Sequence, residues 1–450
     1  MSDANNTPGG SEDLAQIRRE IEQTRQDLGR TIDAIQGKAS PDRIKGKVTE
    51  EVQKATRDKA ASALHKLGAL AGKGAGVARA LATKSKPAPP ALKSDDGTPL
   101  PHRRASAPST VGGGALKPVA EQVVVVFGAS SGIGRETALE FGKRGAKVVV
   151  SGRNKEGLDT LVEDIKYTNP NVIAVEADAT SSVSLKALAD KAVEEFGRLD
   201  TWVHVAGVSV YATVEETTPQ EYQRVLDVNA VGVHRAIQAA APHLKNEQGG
   251  AFIAVSSVEG MRAFPYQMAY SSSKHAVVAI LEAWRVEMQK EGWPISVTNV
   301  MPSGINTPLF NKARTKIGVK PQPVSPVYQP SVVAEVILYA AEHPTRDIVA
   351  GGAGQAMILG QRISPALMDR FVLVGGFDGQ KTSEERSADF ASNLYDTLSE
   401  ARLFHVGGDF SITAKAKSLG NWLETHPAAR RAIYAGIAMF LFLRLRRGRD

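Results

Sequence analysis

A tyrosine and a lysine four residues apart carry the most specific chemistry in the sequence. Tyr270 and Lys274 bracket three serines, and positions i and i+4 of a helix lie on one face, so the phenol and the ammonium group can share a site. A nearby cation favours the phenolate and lowers the tyrosine pKa toward working pH. Such a pair suits a general acid/base in carbonyl–alcohol interconversion, and the hydroxyl of Ser257, upstream, could hold the substrate oxygen. A chance surface pair is the alternative.

A glycine-rich turn indicates nucleotide binding. Residues 128–134 read Gly-Ala-Ser-Ser-Gly-Ile-Gly, directly after the apolar run Val123–Phe127. Glycines there allow a tight turn and a close backbone approach to a pyrophosphate at a helix N-terminus. The second predicted strand leads to Arg153 without an acidic residue for a ribose 2′-hydroxyl, so Arg153 is expected to meet the 2′-phosphate of NADP. A surface arginine is the alternative.

The elements that must position these residues alternate between strand and helix. Val123–Phe127 is a continuous apolar run, typical of a strand buried on both faces of a parallel sheet. Similar runs recur with helical patterns between them, which predicts an α/β fold with a doubly wound, Rossmann-type parallel sheet. The further predicted strands are Lys147–Ser151, Val172–Glu176, Thr201–Val205, Ala251–Ser256, Ile295–Met301 and Gln355–Ile358.

Together these motifs resemble the classical short-chain dehydrogenases/reductases, over residues from about 120 to about 360. The resemblance implies that Tyr270 transfers the proton, that Lys274 binds the nicotinamide ribose and lowers the Tyr270 pKa, and that Ser257 orients the carbonyl. Asn229 matches the asparagine that holds a water in the proton relay. These four residues are the expected catalytic set.

The resemblance also implies a nicotinamide dinucleotide, and Arg153 favours NADPH over NADH. Asp178 matches the aspartate that hydrogen-bonds the adenine amino group, while Pro302 and Thr307 match the loop that contacts the carboxamide. No metal is expected, since no cluster of ligands is spaced around His204. The expected cofactor contacts are Gly128, Ser130, Ser131, Gly132, Ile133, Gly134, Arg153, Asp178, Ala179, Ala206, Gly207, Asn229, Tyr270, Lys274, Pro302, Gly304, Ile305 and Thr307.

Two departures from the family pattern stand out. His204 and Val205 replace two asparagines, and Val205 has no side-chain donor or acceptor, which puts bracing of the sheet in doubt more than catalysis. Ser303 stands where the family usually has glycine, and Gly304 follows it. Substrate recognition is expected in residues 305–330. That segment carries four cations and would suit an apolar carbonyl compound with an anionic group. The alternative is that the cations are simply solvated. They are Lys312, Arg314, Lys316 and Lys320.

Composition divides the chain into parts. Of 450 residues, 42% are apolar and 23% charged, which excludes a wholly disordered chain. Residues 1–118 hold 20 lysines and arginines against 13 acidic residues, so the basic charge lies at the ends and a nucleic-acid-binding body is not expected. The expected parts are a helical extension (1–82), a flexible Pro/Gly-rich linker (83–118), the Rossmann domain (119–360), an irregular and helical appendix (361–426) and a basic amphipathic tail (427–450).

Location and partners are read from the ends and from cysteine usage. The chain has no cysteine, which fits a reducing compartment and predicts a cytoplasmic protein. Ala432–Leu443 is apolar and flanked by arginines. As a helix of about 18 Å it is too short to cross a membrane unless the arginines snorkel at both ends, so peripheral membrane contact through 430–449 is one interpretation. Packing on the body or on a second subunit is the alternative. Residues 17–41 resemble a short bacterial domain family of unknown function.

The function expected from these features is hydride transfer between NADPH and a small carbonyl or alcohol substrate. A homo-oligomer is expected by analogy with the family. The alternative is a dinucleotide-responsive binding module, or a membrane-associated one, without turnover.

Overall fold

A seven-stranded parallel sheet forms the centre of the computed structural model, which describes residues 116–245, 249–433 and 436. Its strand order is β10-β7-β6-β4-β1-β2-β3, so strands are added on one side of β1 up to β3 and on its other side from β4 onward. Ligands bind in such sheets at the point where this order switches, between β1 and β4. The doubly wound fold is confirmed. The strands of the sheet are β1 (Val123–Phe127), β2 (Lys147–Gly152), β3 (Val172–Glu176), β4 (Thr201–His204), β6 (Gly250–Val255), β7 (Ile295–Pro302) and β10 (Asp347–Ala350).

Helices cover both faces of the sheet. Phe141, Leu161 and Ile337 are fully buried on one face, and Leu188 and Val277 on the other; each such side chain contributes about 1.5–3 kcal/mol to stability. The helices are α1 (Gly132–Lys143), α2 (Lys155–Lys166), α3 (Ser182–Phe196), α4 (Pro219–Leu226), α5 (Gly232–Leu244), α6 (Met268–Glu291), α7 (Leu309–Lys312), α8 (Pro330–Glu342), α9 (Gly352–Ile363), α10 (Pro365–Gly375) and α11 (Leu419–Thr425).

One predicted strand is wrong. Gln355–Ile358 lies within α9, and the last strand of the sheet is Asp347–Ala350, which pairs with β7. A short apolar run fits a strand and a helix equally well by periodicity, and of these four residues only Ile358 is buried. The expected boundary between domain and appendix, at 360/361, also falls inside α9.

Short strands join the segment after β7 to its neighbours. Strand β5 (Val210–Tyr211) pairs with β8 (Arg314–Thr315), and β9 (Val319–Pro321) pairs antiparallel with β11 (Lys381–Glu385) of the appendix. Beyond β11 the appendix is largely irregular until α11, and Asn421 of that helix accepts a hydrogen bond from the Gly351 amide at 3.0 Å.

The predicted extension (1–82), the linker up to residue 115 and most of the tail lie outside the described residues. Among the helices that are described, none has the length and apolar character that a membrane crossing requires.

Candidate active site

Helix α6 places Tyr270 and Lys274 beside a serine that follows β6. The hydroxyl of Ser257 accepts a hydrogen bond from the Glu259 amide at 3.1 Å. The Lys274 ammonium nitrogen lies 5.4 Å from the centre of the Tyr270 ring and donates to the Val255 carbonyl at 2.9 Å. Three of the four side chains expected to be catalytic therefore line one cavity.

Burial dominates the acid–base properties of this group. Burial raises the pKa of Tyr270 above its usual value, the Glu259 carboxylate raises it further, and a hydrogen bond with Ser257 opposes the rise. Burial lowers the pKa of Lys274 to about 8, against the opposing effect of Glu259. The expected lowering of the tyrosine pKa is therefore wrong for the protein alone, because residue spacing does not reveal how far the phenol is desolvated.

A carboxyl group in this cavity was missed by sequence reasoning. Glu259 lies two residues after Ser257, and no local pattern marks it as functional. Burial raises its pKa to about 7, while hydrogen bonds from Ser271 and Gln267 and the charge of Lys274 act in the opposite direction. The hydroxyl of Ser271 donates to its Oε2 at 2.6 Å. The cavity thus holds a group that can exchange a proton near neutral pH.

Asn229 lies in a π-helical turn between α4 and α5, behind the cavity rather than on its wall. Its side chain is fully buried. The amide oxygen accepts from the Val208 amide at 2.8 Å, and the amide nitrogen donates to the Val208 carbonyl at 2.9 Å and to Ser273 at 3.0 Å. These bonds give Asn229 a positioning role, because they fix the segment after β4 against α6.

The glycines of residues 128–134 are required by close approach of the backbone. A Cβ on Gly128 would lie 2.5 Å from the Ala206 nitrogen, and one on Gly134 would lie 2.1 Å from the Gly128 carbonyl oxygen. Gly132 has a φ of +60°, which side chains rarely adopt. The turn therefore needs glycines for its own backbone packing, and it lies at the carboxyl ends of β1 and β4, where dinucleotides bind in such sheets.

The cavity has a volume of about 980 Å³, at the upper end of the range for small-molecule sites. Gly134 and Asn229 stand behind its wall. All other expected site residues line it, namely Gly128, Ser130, Ser131, Gly132, Ile133, Arg153, Asp178, Ala179, Ala206, Gly207, Ser257, Tyr270, Lys274, Pro302, Gly304, Ile305 and Thr307.

Arg153 and Asp178 lie at the far end of the cavity from the tyrosine. The guanidinium of Arg153 donates to the backbone carbonyls of Tyr395 and Asn393, at 2.8 and 2.9 Å. Burial tends to raise the pKa of Asp178, but hydrogen bonds from Thr180 and the charge of Arg153 outweigh it and lower the pKa. The Asp178 carboxylate is therefore charged and lies within the field of the arginine.

The departure at His204 is accommodated by packing. The imidazole lies 5.1 Å from the Phe127 ring, and neither ring nitrogen has a hydrogen-bond partner among the described residues. Burial and the charge of Lys274 lower its pKa to about 3, so it is neutral. The backbone braces the segment instead, since the amides of Val205 and Ala206 both donate to the Phe127 carbonyl. Within the described ranges, no three metal-ligating side chains gather at one point.

The departure at Ser303 is also accommodated. Its hydroxyl donates to the Ala350 carbonyl at 3.0 Å. The close approach occurs at the next residue, where a Cβ on Gly304 would lie 2.5 Å from the Val324 carbonyl oxygen.

The cations of residues 305–330 are paired within the protein. Arg314 and Lys316 form ion pairs with Glu221, at 2.5 and 2.7 Å. Lys320 pairs with Glu384, at 3.0 Å, and with Asp409. Neither a free anion-binding role nor simple solvation describes these three side chains. The fourth, Lys312, lines the cavity.

Helix α9 and the appendix form an apolar wall of the cavity. Helix α10 presents Leu367, Phe371 and Val374 to it, although each is more than 60% exposed to solvent. Met357 of α9 and Met368 of α10 complete this wall. No sequence motif signals it: part of α9 was predicted as a strand, and α10 lies in the segment expected to be irregular and helical.

A second part of the appendix, residues 393–405, contacts the nucleotide half of the cavity; we term it the strap. The carbonyl of His405 accepts a hydrogen bond from the Gly132 amide at 3.0 Å, and the amide of Asn393 donates to the Lys312 carbonyl at 2.9 Å. Asn393 and Thr397 line the cavity. These are main-chain contacts, which leave no trace in the sequence.

Comparison with known proteins agrees with this geometry. Residues 122–318 match the family model for short chain dehydrogenases, and residues 11–57 match a family described as a protein of unknown function, DUF3618. The uncharacterized oxidoreductase YxnA of Bacillus subtilis is 36% identical over 324 residues, which cover 72% of this chain and 90% of that protein. The 3-oxoacyl-[acyl-carrier-protein] reductase FabG of Thermotoga maritima is 31% identical over 223 residues, covering 49% of this chain and 90% of that protein.

A solved structure supports the fold. A short chain dehydrogenase/reductase from Burkholderia phymatum, crystallised in complex with NAD, superposes with a TM-score of 0.50 at 23% identity, covering 54% of this chain and 94% of that one. The chain belongs to the short chain dehydrogenase family, and it is an NAD(P)-dependent oxidoreductase.

Proposed function

We propose that the protein interconverts a carbonyl group and an alcohol with NADPH as the preferred cofactor and Tyr270 as the general acid/base. The observation that carries this proposal is that Ser257, Tyr270 and Lys274 line one cavity with the glycine-rich turn. When bound, the nicotinamide supplies or accepts the hydride.

Tyr270 is the group that moves the proton. Burial raises its pKa, so the phenol is protonated at neutral pH and can donate from its hydroxyl to the oxygen of a carbonyl substrate. Ser257 holds that oxygen by a second hydrogen bond. The phenolate left behind is stabilised by the Lys274 ammonium, 5.4 Å from the centre of the ring, because a nearby cation favours the charged form of the phenol.

The substrate we propose is a small molecule with an apolar body. An apolar wall of the cavity consists of Met357, Met368 and Phe371, with Val258 alongside. Flexible thioethers and an aromatic ring bind apolar surface of irregular shape. Because Arg314, Lys316 and Lys320 are already paired with carboxylates, they do not supply a binding site for a substrate anion.

The preference for NADPH rests on Arg153. It follows β2 and lines the cavity, where the charges of Asp178 and Asp396 act on it. Its two backbone carbonyl acceptors hold the guanidinium in place. A phosphate is a stronger acceptor than a carbonyl, so a 2′-phosphate is a favourable ligand for it. Replacing Arg153 by methionine should weaken NADPH binding about tenfold or more and leave NADH binding within twofold; equal losses would remove the basis for the preference.

The test of the catalytic role is Tyr270→Phe, with Tyr339→Phe on the distant helix α8 as matched control. We expect the first variant to bind NADPH like the wild type but to lose at least about a thousandfold in kcat on a panel of apolar aldehydes and ketones. The control should retain both properties. Binding without turnover in the wild type would favour the alternative of a dinucleotide-responsive module, and full activity of Tyr270→Phe would contradict the assigned role.

Peripheral membrane contact through 430–449, a cytoplasmic location and a homo-oligomer stay predictions. They rest on the apolar run flanked by arginines, on the absence of cysteine and on analogy with the family.

A further inference from the structure

Lys312, which lines the cavity, has no acidic partner among the described residues. Lys312, the last residue of α7, is only 8% exposed to solvent. Its ammonium nitrogen lies 3.0 Å from the hydroxyl oxygen of Ser131, a neutral group. Among the described residues its side chain has no carboxylate within ion-pair distance, whereas Arg314, Lys316 and Lys320 of the same segment all do. A buried, unpaired ammonium group is costly, and such groups usually have a ligand or a partner.

The position of this lysine makes the lack of a partner more costly. Ser131 is the N-cap of the twelve-residue helix α1, and its side chain makes no capping bond. The N-terminus of a helix carries partial positive charge, so a second cation there is repelled. Burial lowers the pKa of Lys312 to about 8, as expected for a cation in an environment that lacks negative charge. Both effects would be reversed by an anion bound beside the lysine at this end of the helix.

The contact of Lys312 is with the glycine-rich turn. Gly132, which follows Ser131, begins α1, and a Cβ on it would lie 3.3 Å from the side chain of Thr307. The strap closes this end of the cavity from the other side, since Gly132 donates to the His405 carbonyl and the Lys312 carbonyl accepts from Asn393. An anion held here would be enclosed by the turn, by α7 and by the strap.

We propose that Lys312, together with Ser131, binds the diphosphate of the nicotinamide dinucleotide. This inference rests on the cofactor of the proposed function. The diphosphate carries two negative charges, one of which would neutralise the lysine, and its oxygens would accept hydrogen bonds from both side chains. Lys312 is then a cofactor-binding residue that the segment after β7 contributes to the Rossmann turn.

The experiment measures dissociation constants of NADPH, NADH and adenosine 2′-monophosphate for the wild type and for Lys312→Met, Lys312→Arg and Lys316→Met. Lys312→Met should weaken both dinucleotides by a similar factor, about tenfold or more, because both carry the diphosphate. The monophosphate, which lacks it, should bind unchanged. Lys312→Arg should retain most of the affinity, and the paired control Lys316→Met should stay within twofold for every ligand.

Thermal unfolding separates this role from a structural one. Without cofactor, Lys312→Met should melt at the same temperature as the wild type or higher, because it removes an unpaired buried charge. With saturating NADPH it should gain less than the wild type.

Several outcomes would overturn the inference. A loss of affinity in Lys312→Met that is confined to NADPH would place Lys312 at the 2′-phosphate. Unchanged affinity of this variant for both dinucleotides would mean that Lys312 does not bind the cofactor. A lower melting temperature without cofactor, with an unchanged gain on binding, would show a purely structural role. Failure of the wild type to bind either dinucleotide would instead refute the proposed function.

Discussion

The Rossmann body and the C-terminal appendix contribute to the same cavity in different ways. In the body, fully buried side chains such as Phe127 and Trp202 hold the sheet together. In the appendix, Phe371 and Val374 face the cavity while remaining 64% and 86% exposed. The strap is joined to the body by backbone hydrogen bonds and by Leu394, which is fully buried in the core of the body. The body therefore supplies the sheet and the residues expected to be catalytic, whereas helix α10 of the appendix shapes the cavity with side chains that stay largely exposed to solvent.

The largest effect on cofactor binding is expected in the body, at Gly134. Gly134→Ala places a Cβ 2.1 Å from the Gly128 carbonyl oxygen, so the turn must move. We expect the dissociation constant of NADPH to rise by at least about a hundredfold. Gly375→Ala, at the end of α10, is the matched control because a Cβ there meets nothing within 4 Å. Wild-type affinity in Gly134→Ala would contradict the role of the turn.

The next effect is expected in the appendix and should spare stability. Phe371→Ala removes an aromatic wall of the cavity, so KM for apolar substrates should rise about tenfold, while the melting temperature changes by less than about 2 °C because the side chain is largely exposed. Leu373→Ala on the same helix is the control, since Leu373 is 70% exposed and does not line the cavity. Equal effects on KM from both variants would mean that the side of α10 that lines the cavity does not bind the substrate.

The smallest effect is expected at Glu221, whose ion pairs with Arg314 and Lys316 join α4 to the segment that follows β7. Burial tends to raise its pKa, but hydrogen bonds from Lys316, Thr218 and Arg314 outweigh it and lower the pKa to about 2. Its stabilising contribution is therefore complete above the unfolded-state pKa of about 4.5 and is lost as pH falls toward 2. Glu221→Gln should lower the melting temperature by a few degrees at pH 7, and by less at pH 3.

The control for this variant is Glu163→Gln, on the exposed side of α2. It should leave the melting temperature unchanged at both pH values. A difference between wild type and Glu221→Gln that is constant from pH 7 to pH 3 would mean that the ion pairs are not the source of the stability.

The sequence predicted the features that depend on local patterns and missed those that depend on contacts between distant parts of the chain. The turn at 128–134 and the Tyr270–Lys274 spacing are local patterns, and residues of both segments line one cavity. The pairing of Glu221 with Arg314 and Lys316 joins positions more than 90 residues apart, and no period or motif signals it. The strap was missed because main-chain hydrogen bonds carry no residue signature. The desolvation that raises the Tyr270 pKa depends on packing that only the folded chain defines.

Amide hydrogen exchange of the strap is the most direct test of the claim that the appendix is part of the cofactor site. Exchange would be measured over residues 393–405 with and without saturating NADPH, with helix α3 as the internal reference. We expect exchange in the strap to slow several-fold on binding, together with residues 128–134, while α3 stays unchanged. Slower exchange in the glycine-rich turn with unchanged or faster exchange in the strap would contradict the account.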